Sequence, residues 1–313
     1  MKQLRFFYLL FCLGFSSCLM GEFTNDAASM FQRKRDGALR AMDLKSVNGL
    51  LALSNDDFYK KIAQIEEQRI VIVTPSYNNS AWYKWNLDSI FSQNYSNWHL
   101  MYVDDNSPDE TGELVKAYVK SCGFEDKVTV ISNTHRRKAL ANIYTAVHMC
   151  KPTDIIVILD GDDRFASDKV LMAVNYMYAV QDIWLSYGQY QEYPTGKMGF
   201  CEPYPEDIIN RRAFREFASG PSHLRTFYAG LFHKIELADL IYEGDFFPMT
   251  YDLAIMFPML EMATHHFMFC AIPLVDYNVS NPINDHKVSK DLQRRCTKII
   301  RSKERYELID NPF

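Results

Sequence analysis

None of the seven cysteines in this 313-residue chain stands in a CxxC pair or at the Cys/His spacing of a metal module. A structural zinc site is therefore excluded at the outset. Cys12 and Cys18 fall in an apolar N-terminal segment. The other five, Cys122, Cys150, Cys201, Cys270 and Cys296, are an odd number in a large chain and read as isolated thiols, mostly core, not as a disulfide framework. His265 and His266 have no HExxH around them, which removes a zinc-protease reading. Positive charge is also short. With 34 Lys and Arg against 39 Asp and Glu the net charge is −5, so no nucleic-acid partner is expected. There is no internal repeat and no low-complexity tract. Beyond the N-terminus no apolar run approaches the roughly 20 residues that span a bilayer. What the chain does have is 48% hydrophobic and 14% aromatic residues, enough to bury a substantial core in one large domain or two small ones.

Residues 1–21 carry Lys2 and Arg5 ahead of an apolar run that begins at Phe6 and fades at Gly21. A charged lead before an apolar segment too short for a comfortable span reads as an export signal, with an uncleaved membrane anchor as the alternative. Phe15-Ser16-Ser17-Cys18 resembles a lipoprotein cleavage box with Phe where Leu is usual. Residues 22–67 are a polar, helix-leaning extension with a basic cluster at Arg33, Lys34 and Arg35 and an apolar patch from Leu50 to Leu53.

From Arg69 the pattern changes. RIVIVT, Arg69 to Thr74, is a continuous apolar, β-branched run of the kind that fills a strand covered on both faces, and it ends in the turn Pro75-Ser76-Tyr77-Asn78. Helical spacing follows from Ala81 to Gln93, then a strand from Trp98 to Val103 closing on Asp104-Asp105-Asn106-Ser107. Asp109 to Tyr118 reads as helix, Lys127 to Ile131 as strand, Lys138 to Met149 as helix and Asp154 to Leu159 as a fourth strand. Such alternation implies right-handed βαβ crossovers and an α/β fold, with a mostly parallel central sheet flanked by helices. Loops after the carboxyl ends of parallel strands gather at one edge, where ligands bind. Tyr77, Asp105 and the stretch from Asp160 to Asp163 each follow a strand, so they are expected to converge.

The fourth strand runs into Asp160-Gly161-Asp162-Asp163, three carboxylates in four positions. Asp is a common turn and N-cap residue, so a solvated loop before a helix near Ser167 is one reading. The other is a cation site: like charges at a semi-buried strand end cost free energy unless neutralised, and Gly161 permits a tight backbone. A hard divalent ion, Mn²⁺ or Mg²⁺, takes one or two carboxylates and completes its shell with water and phosphate oxygens. The partner would then be a nucleoside diphosphate.

The segment IVIVTPSYNNSAWYKWNLDSIFSQNYSNWHLMYVDDNSPDET, with LDGDD in the place of a DXD element, resembles the family 2 glycosyltransferases of the GT-A fold. The resemblance covers residues 68–290, split at 165 into a nucleotide-binding half and an acceptor half, and leaves 291–313 as a C-terminal tail. It implies an inverting, metal-dependent transfer of a sugar from a nucleotide-diphosphate donor, UDP-linked by preference, to a hydroxyl of a glycan, lipid or protein. It implies that Tyr77, after Pro75, stacks on the donor base and that Asp105 bonds the base edge, with Asp104 holding the turn. Asp160 and Gly161 would meet the nucleotide, and Asp160, Asp162 and Asp163 the metal. Between Thr134 and Asn142 the family's glycine and its Ala-Arg-Asn are missing. Arg136, Arg137 and Lys138 at a helix start would meet the diphosphate, or else form an exposed basic turn.

An inverting transfer needs a carboxylate that takes the acceptor proton from the side opposite the diphosphate, hence from another part of the chain. Met249-Thr250-Tyr251-Asp252 resembles the family's helix-opening Glu-Asp with Tyr for Glu, which makes Asp252 the candidate base. The alternative for Asp252 is an acid that favours the helix dipole. Met256, Met259 and Met262 on that helix read as core filling. His223 and Arg225 in Gly220-Pro221-Ser222-His223-Leu224-Arg225 are acceptor-side candidates, and His286, after a strand expected from Phe267 to Val275, is a candidate metal or diphosphate ligand.

Sugar-nucleotide synthesis on a related fold would need a Gly-rich, Arg- or Lys-bearing loop where this chain has PSYNNS. Glycoside hydrolysis uses paired carboxylates but has no use for a nucleotide motif. An exported, non-catalytic nucleotide-sugar or glycan-binding protein on the same fold stays as the alternative function. The N-terminus implies a membrane-associated or secretory location, with a cytoplasmic-facing enzyme as one arrangement. Asn78, Asn94 and Asn278 head N-x-S patterns. A glycan on Asn78 would crowd the base pocket.

Overall fold

The computed structural model describes residues 47–51, 53–283 and 289–313. The expected N-terminal signal or anchor, the extension as far as residue 46, and His286 lie outside the described residues. In chain order the first elements are α1 (Val47–Leu51), α2 (Asn55–Ile62), β1 (Ile70–Ser76), α3 (Tyr83–Phe91), β2 (Trp98–Asp104), α4 (Thr111–Cys122), β3 (Val128–Ser132), α5 (Lys138–His148) and β4 (Ile155–Ile158). There follow β5 (Arg164–Phe165), α6 (Val170–Val180), β6 (Leu185–Gly188), β7 (Gln191–Tyr193), α7 (Glu206–Arg211), β8 (Arg225–Tyr228), α8 (Ala229–His233), β9 (Ile241–Tyr242) and β10 (Asp245–Phe246). The last are α9 (Tyr251–Ala263), β11 (Phe267–Cys270), β12 (Val275–Asn278) and α10 (Lys290–Ser302).

Seven strands form the central sheet in the order β11-β6-β8-β4-β1-β2-β3. All pairings are parallel except those of β8, which runs against β4 and β6. The apolar runs are continuous because both faces are covered. Val71, Val73, Met101, Val103, Ile156 and Ile158 pack into one core with residues of α5, α8, α9 and α10. Their alternating neighbours Ile70, Ile72, Leu100, Tyr102, Ile155 and Val157 pack into another with residues of α3, α4 and α6. Each such side chain contributes about 1.5–3 kcal/mol relative to exposure.

Register decides what meets at the rim. β1, β2 and β4 reach the same edge at Ser76, Asp104 and Ile158. Because β8 is antiparallel, its first residue, Arg225, pairs with Ile158, the last residue of β4. A residue that opens one strand thus stands beside the acidic loop that closes another.

Two expectations change. The single strand expected from Phe267 to Val275 is two, broken at Ile272-Pro273: β11 joins the large sheet, and β12 pairs with β5 and β7 in a small one. Proline supplies no N–H to a ladder, which accounts for the break. Residues 291–313, expected as a tail, hold most of α10, whose Cys296 and Ile300 are buried in the main core. Arg215, its side chain 8% exposed, ties this region down, donating to Glu261 of α9 at 2.6 and 2.8 Å and to the Ile300 carbonyl at 2.6 Å. Among the described residues the five cysteines are free thiols, with Cys201, Cys270 and Cys296 buried. Met256, Met259 and Met262 fill the core as expected.

Candidate active site

The loop after β4 is shaped by contacts its sequence already demands. A Cβ on Gly161 would stand 2.5 Å from Oγ and 2.7 Å from Cβ of Ser76, so only glycine lets the loop lie against the end of β1. The Gly161 N–H donates to the Pro75 carbonyl at 3.1 Å. Asn86, fully buried on α3, donates from Nδ2 to the carbonyls of Asp160 at 3.1 Å and Asp163 at 2.8 Å. With the backbone held, the three carboxyl groups are sent to different partners.

Asp160 accepts from the Tyr251 hydroxyl at 2.6 and 2.8 Å and from Arg225 Nη2 at 3.3 Å. Asp162 accepts from Asn281 Nδ2 at 2.7 Å. Asp163 is fully buried. Its Oδ1 accepts from the Asn278 N–H at 2.8 Å, and its Oδ2 has no hydrogen-bond partner among the described residues. Burial, with the charges of Asp162 and Asp160 beside it, pushes the Asp163 carboxyl well above the usual carboxylate range. Ligand atoms of Asp160, Asp163 and His223 all lie within 4.8 Å of one another. Expected on the acceptor side, His223 therefore sits with the carboxylates, while Asp162, expected to share a cation with Asp160, is not part of that group.

Arg225, also expected on the acceptor side, is 2% exposed and forms the hub of this cluster. Its Nη2 shares two N–H groups among three acceptors, the Tyr251 hydroxyl at 2.7 Å, Asp160 Oδ2 at 3.3 Å and His223 Nδ1 at 3.2 Å. An arginine can only donate, so Nδ1 is the acceptor and the ring proton is on Nε2. Burial first, and then Arg225, holds His223 well below the usual imidazole range, in keeping with a neutral ring.

Asp252 lies in the first turn of α9, half-buried, as its motif implied. Burial raises its carboxyl above the ordinary value of 3.8; Arg225 and the Leu253 N–H pull it back, and Asp160 adds to the rise. Asp252 and Asp160, ninety-two positions apart, are thus close enough to feel each other's charge. Tyr251 is the residue sequence reasoning passed over. The signal was the Tyr standing where the resemblance expects Glu: its hydroxyl donates to Asp160, which a second carboxylate would repel.

The base-side residues assemble differently. Asp105 is 2% exposed and accepts from the N–H groups of Arg137 at 2.8 Å and Lys138 at 2.7 Å and from Asn133 Nδ2 at 2.8 Å. It caps α5, and the backbone N–H groups expected to be open to a diphosphate at that helix start are taken. The Arg137 side chain donates to Thr145 at 3.3 Å, and Lys138 is exposed with φ of +67°. Asp104 holds the turn: its Oδ2 accepts from the Ser107 N–H at 3.4 Å and packs where a Cβ on Gly112 would stand. Tyr77 is half-buried, and the guanidinium of exposed Arg136 lies 3.7 Å over its ring. Asn278, head of one N-x-S pattern, is fully buried and unavailable to a glycan.

The chain shares this architecture with S. aureus TarS: the complex with UDP superimposes with a TM-score of 0.53 at 13% identity, covering 74% of this chain and 64% of that one. The complex of TarS with UDP-GlcNAc gives 0.52 at 13% identity, over 71% and 61%. The fold is the expected GT-A α/β fold. In sequence, the chain is 27% identical over 127 residues to the Escherichia coli UDP-Glc:alpha-D-GlcNAc-diphosphoundecaprenol beta-1,3-glucosyltransferase WfgD, covering 41% of this chain and 47% of that protein. It is 31% identical over 96 residues to the Bacillus subtilis putative glycosyltransferase EpsE, over 30% and 33%. The chain thus spans about half or less of the length of these relatives. The profile of Glycosyl transferase family 2 matches residues 71–233, more than half of the chain, and the chain belongs to that family.

Proposed function

We propose that this protein is an inverting glycosyltransferase that moves a sugar from a nucleotide-diphosphate donor, UDP-linked, to a hydroxyl on a glycan, lipid or protein. The observation that carries the reading is the gathering of Asp160, Asp163, His223, Arg225 and Asp252, drawn from the ends of β4, β8 and α9, at one rim of the sheet. WfgD, a UDP-Glc-dependent glucosyltransferase, and the TarS complexes with UDP-GlcNAc and UDP favour a UDP-sugar.

The residues fit a hard divalent cation. Two carboxylates and an imidazole nitrogen are a ligand set suited to Mn²⁺ or Mg²⁺, and the buried Asp163 Oδ2 has no hydrogen-bond partner among the described residues. When bound, such an ion supplies positive charge to the departing diphosphate. The chain's own groups do the rest. Asp252 takes the acceptor proton: burial raises its carboxyl and makes it a better base than a solvated one, while Arg225 beside it favours the charged form. Tyr77 offers a ring face to the base, and Asp105 holds the loop from Asn133 to Lys138 that borders it. Membrane association through residues 1–21 belongs to the same proposal.

The test is a screen of UDP- and GDP-sugars with Mn²⁺ and with chelator, run beside Asp252→Asn. The variant is expected to bind UDP as the wild type does and to lose transfer by about 10²–10⁴-fold. Sugar nucleotides that bind without turnover in the wild type would leave a binding protein instead.

A further inference from the structure

The lone pair of His223 Nδ1 is already in use. Imidazole nitrogen Nδ1 has a single lone pair, and here it accepts the N–H of Arg225 Nη2 at 3.2 Å. The same nitrogen lies 3.9 Å from Asp163 Oδ2, the buried oxygen without a hydrogen-bond partner among the described residues. Any cation coordinated by His223 through Nδ1 must take the lone pair from the guanidinium. It must also take up Asp160, on which Arg225 and Tyr251 both now rest. The guanidinium is not a rim charge free to swing into water: it is 2% exposed and anchored by the Tyr251 hydroxyl at 2.7 Å, and its Nε has no acceptor among the described residues. A buried donor left unpaired costs about 1–3 kcal/mol. The resting site is thus neutralised by an internal cation that is itself incompletely satisfied.

We infer that Arg225 is a tethered cation that competes with a divalent metal ion for His223 and Asp160, so that the site exchanges one positive charge for another as it loads. The inference rests on the metal-assisted reading above and concerns what this chain adds to it. With Arg225 in place, metal alone binds weakly. Displaced toward the rim, the guanidinium becomes available to an anionic oxygen of the donor, so metal and diphosphate favour each other's binding.

The competition is read by titrating Mn²⁺ alone into the full chain and following free Mn²⁺ by electron paramagnetic resonance, with circular dichroism to confirm folding. Arg225→Met, which cannot donate to His223, is expected to tighten Mn²⁺ binding by about tenfold or more, equivalent to about 1.4 kcal/mol. Tyr251→Phe removes the anchor of Arg225 and is expected to tighten it by a smaller factor, which keeps the test open should the first variant fail to fold. Unchanged or weaker Mn²⁺ binding in the folded variants would overturn the competition while leaving a metal-assisted transferase standing. No Mn²⁺ binding to any form, with transfer persisting in chelator, would overturn both the competition and the metal-assisted reading.

Discussion

Asp105 and Asp163 are two buried aspartates at the same edge of one sheet, and they are treated in opposite ways. Asp105 follows β2 and spends its carboxylate on three N–H groups of a neighbouring loop. Asp163 follows β4, receives one N–H, and keeps a second oxygen without a hydrogen-bond partner among the described residues. A saturated buried carboxylate is a piece of architecture, whereas an unsaturated one costs stability until something arrives to bond it. By that measure the Asp105 site is finished in the resting protein and the Asp163 site is waiting.

The comparison can be broken by removing charge from each side. The larger effect on stability is expected at the saturated site: Asp105→Asn sets an amide N–H against a backbone N–H and should cost about 1–3 kcal/mol, measured by urea unfolding. At the unsaturated site the sign reverses. Asp163 is raised in the folded chain above its ordinary 3.8, so stability is fully present below 3.8 and is lost as pH rises through the raised value. In chelator, Asp163→Asn is expected to remove that loss, with a difference from wild type growing by up to about 1.4 kcal/mol per pH unit across the window. The smallest effect sharpens the base side. Arg136→Ala should change stability by no more than about 0.5–1 kcal/mol, the worth of an exposed cation–π contact, while uncovering Tyr77 for UDP, as fluorescence or calorimetric titration would record.

Much of this was legible in the sequence, and the limit falls where pairing partners are distant. The continuous apolar run RIVIVT and the strand–helix alternation that follows it led to the parallel sheet, because strands covered on both faces must be apolar throughout. The rule that loops gather at carboxyl ends then brought Asp105 and Asp160 to one edge. It could not say that β8 runs backwards, which is what carries Arg225 and His223 to that edge. Nor could spacing tell Asp162 from Asp163. That choice is made by Asn281 and Asn278, more than a hundred residues away. The Tyr-for-Glu exchange at position 251 was visible, but its meaning depends on the oxygen atoms of Asp160 lying 2.6 and 2.8 Å from it.

The central claim is that the unsatisfied acid after β4 is the ligand-facing one. It is tested most directly by calorimetric titration of UDP into wild type and Asp163→Asn, each with Mn²⁺ and with chelator. Wild type with Mn²⁺ is expected to bind UDP at least about tenfold more tightly than the other three combinations, a gap of about 1.4 kcal/mol. Equal affinity in all four would contradict the account.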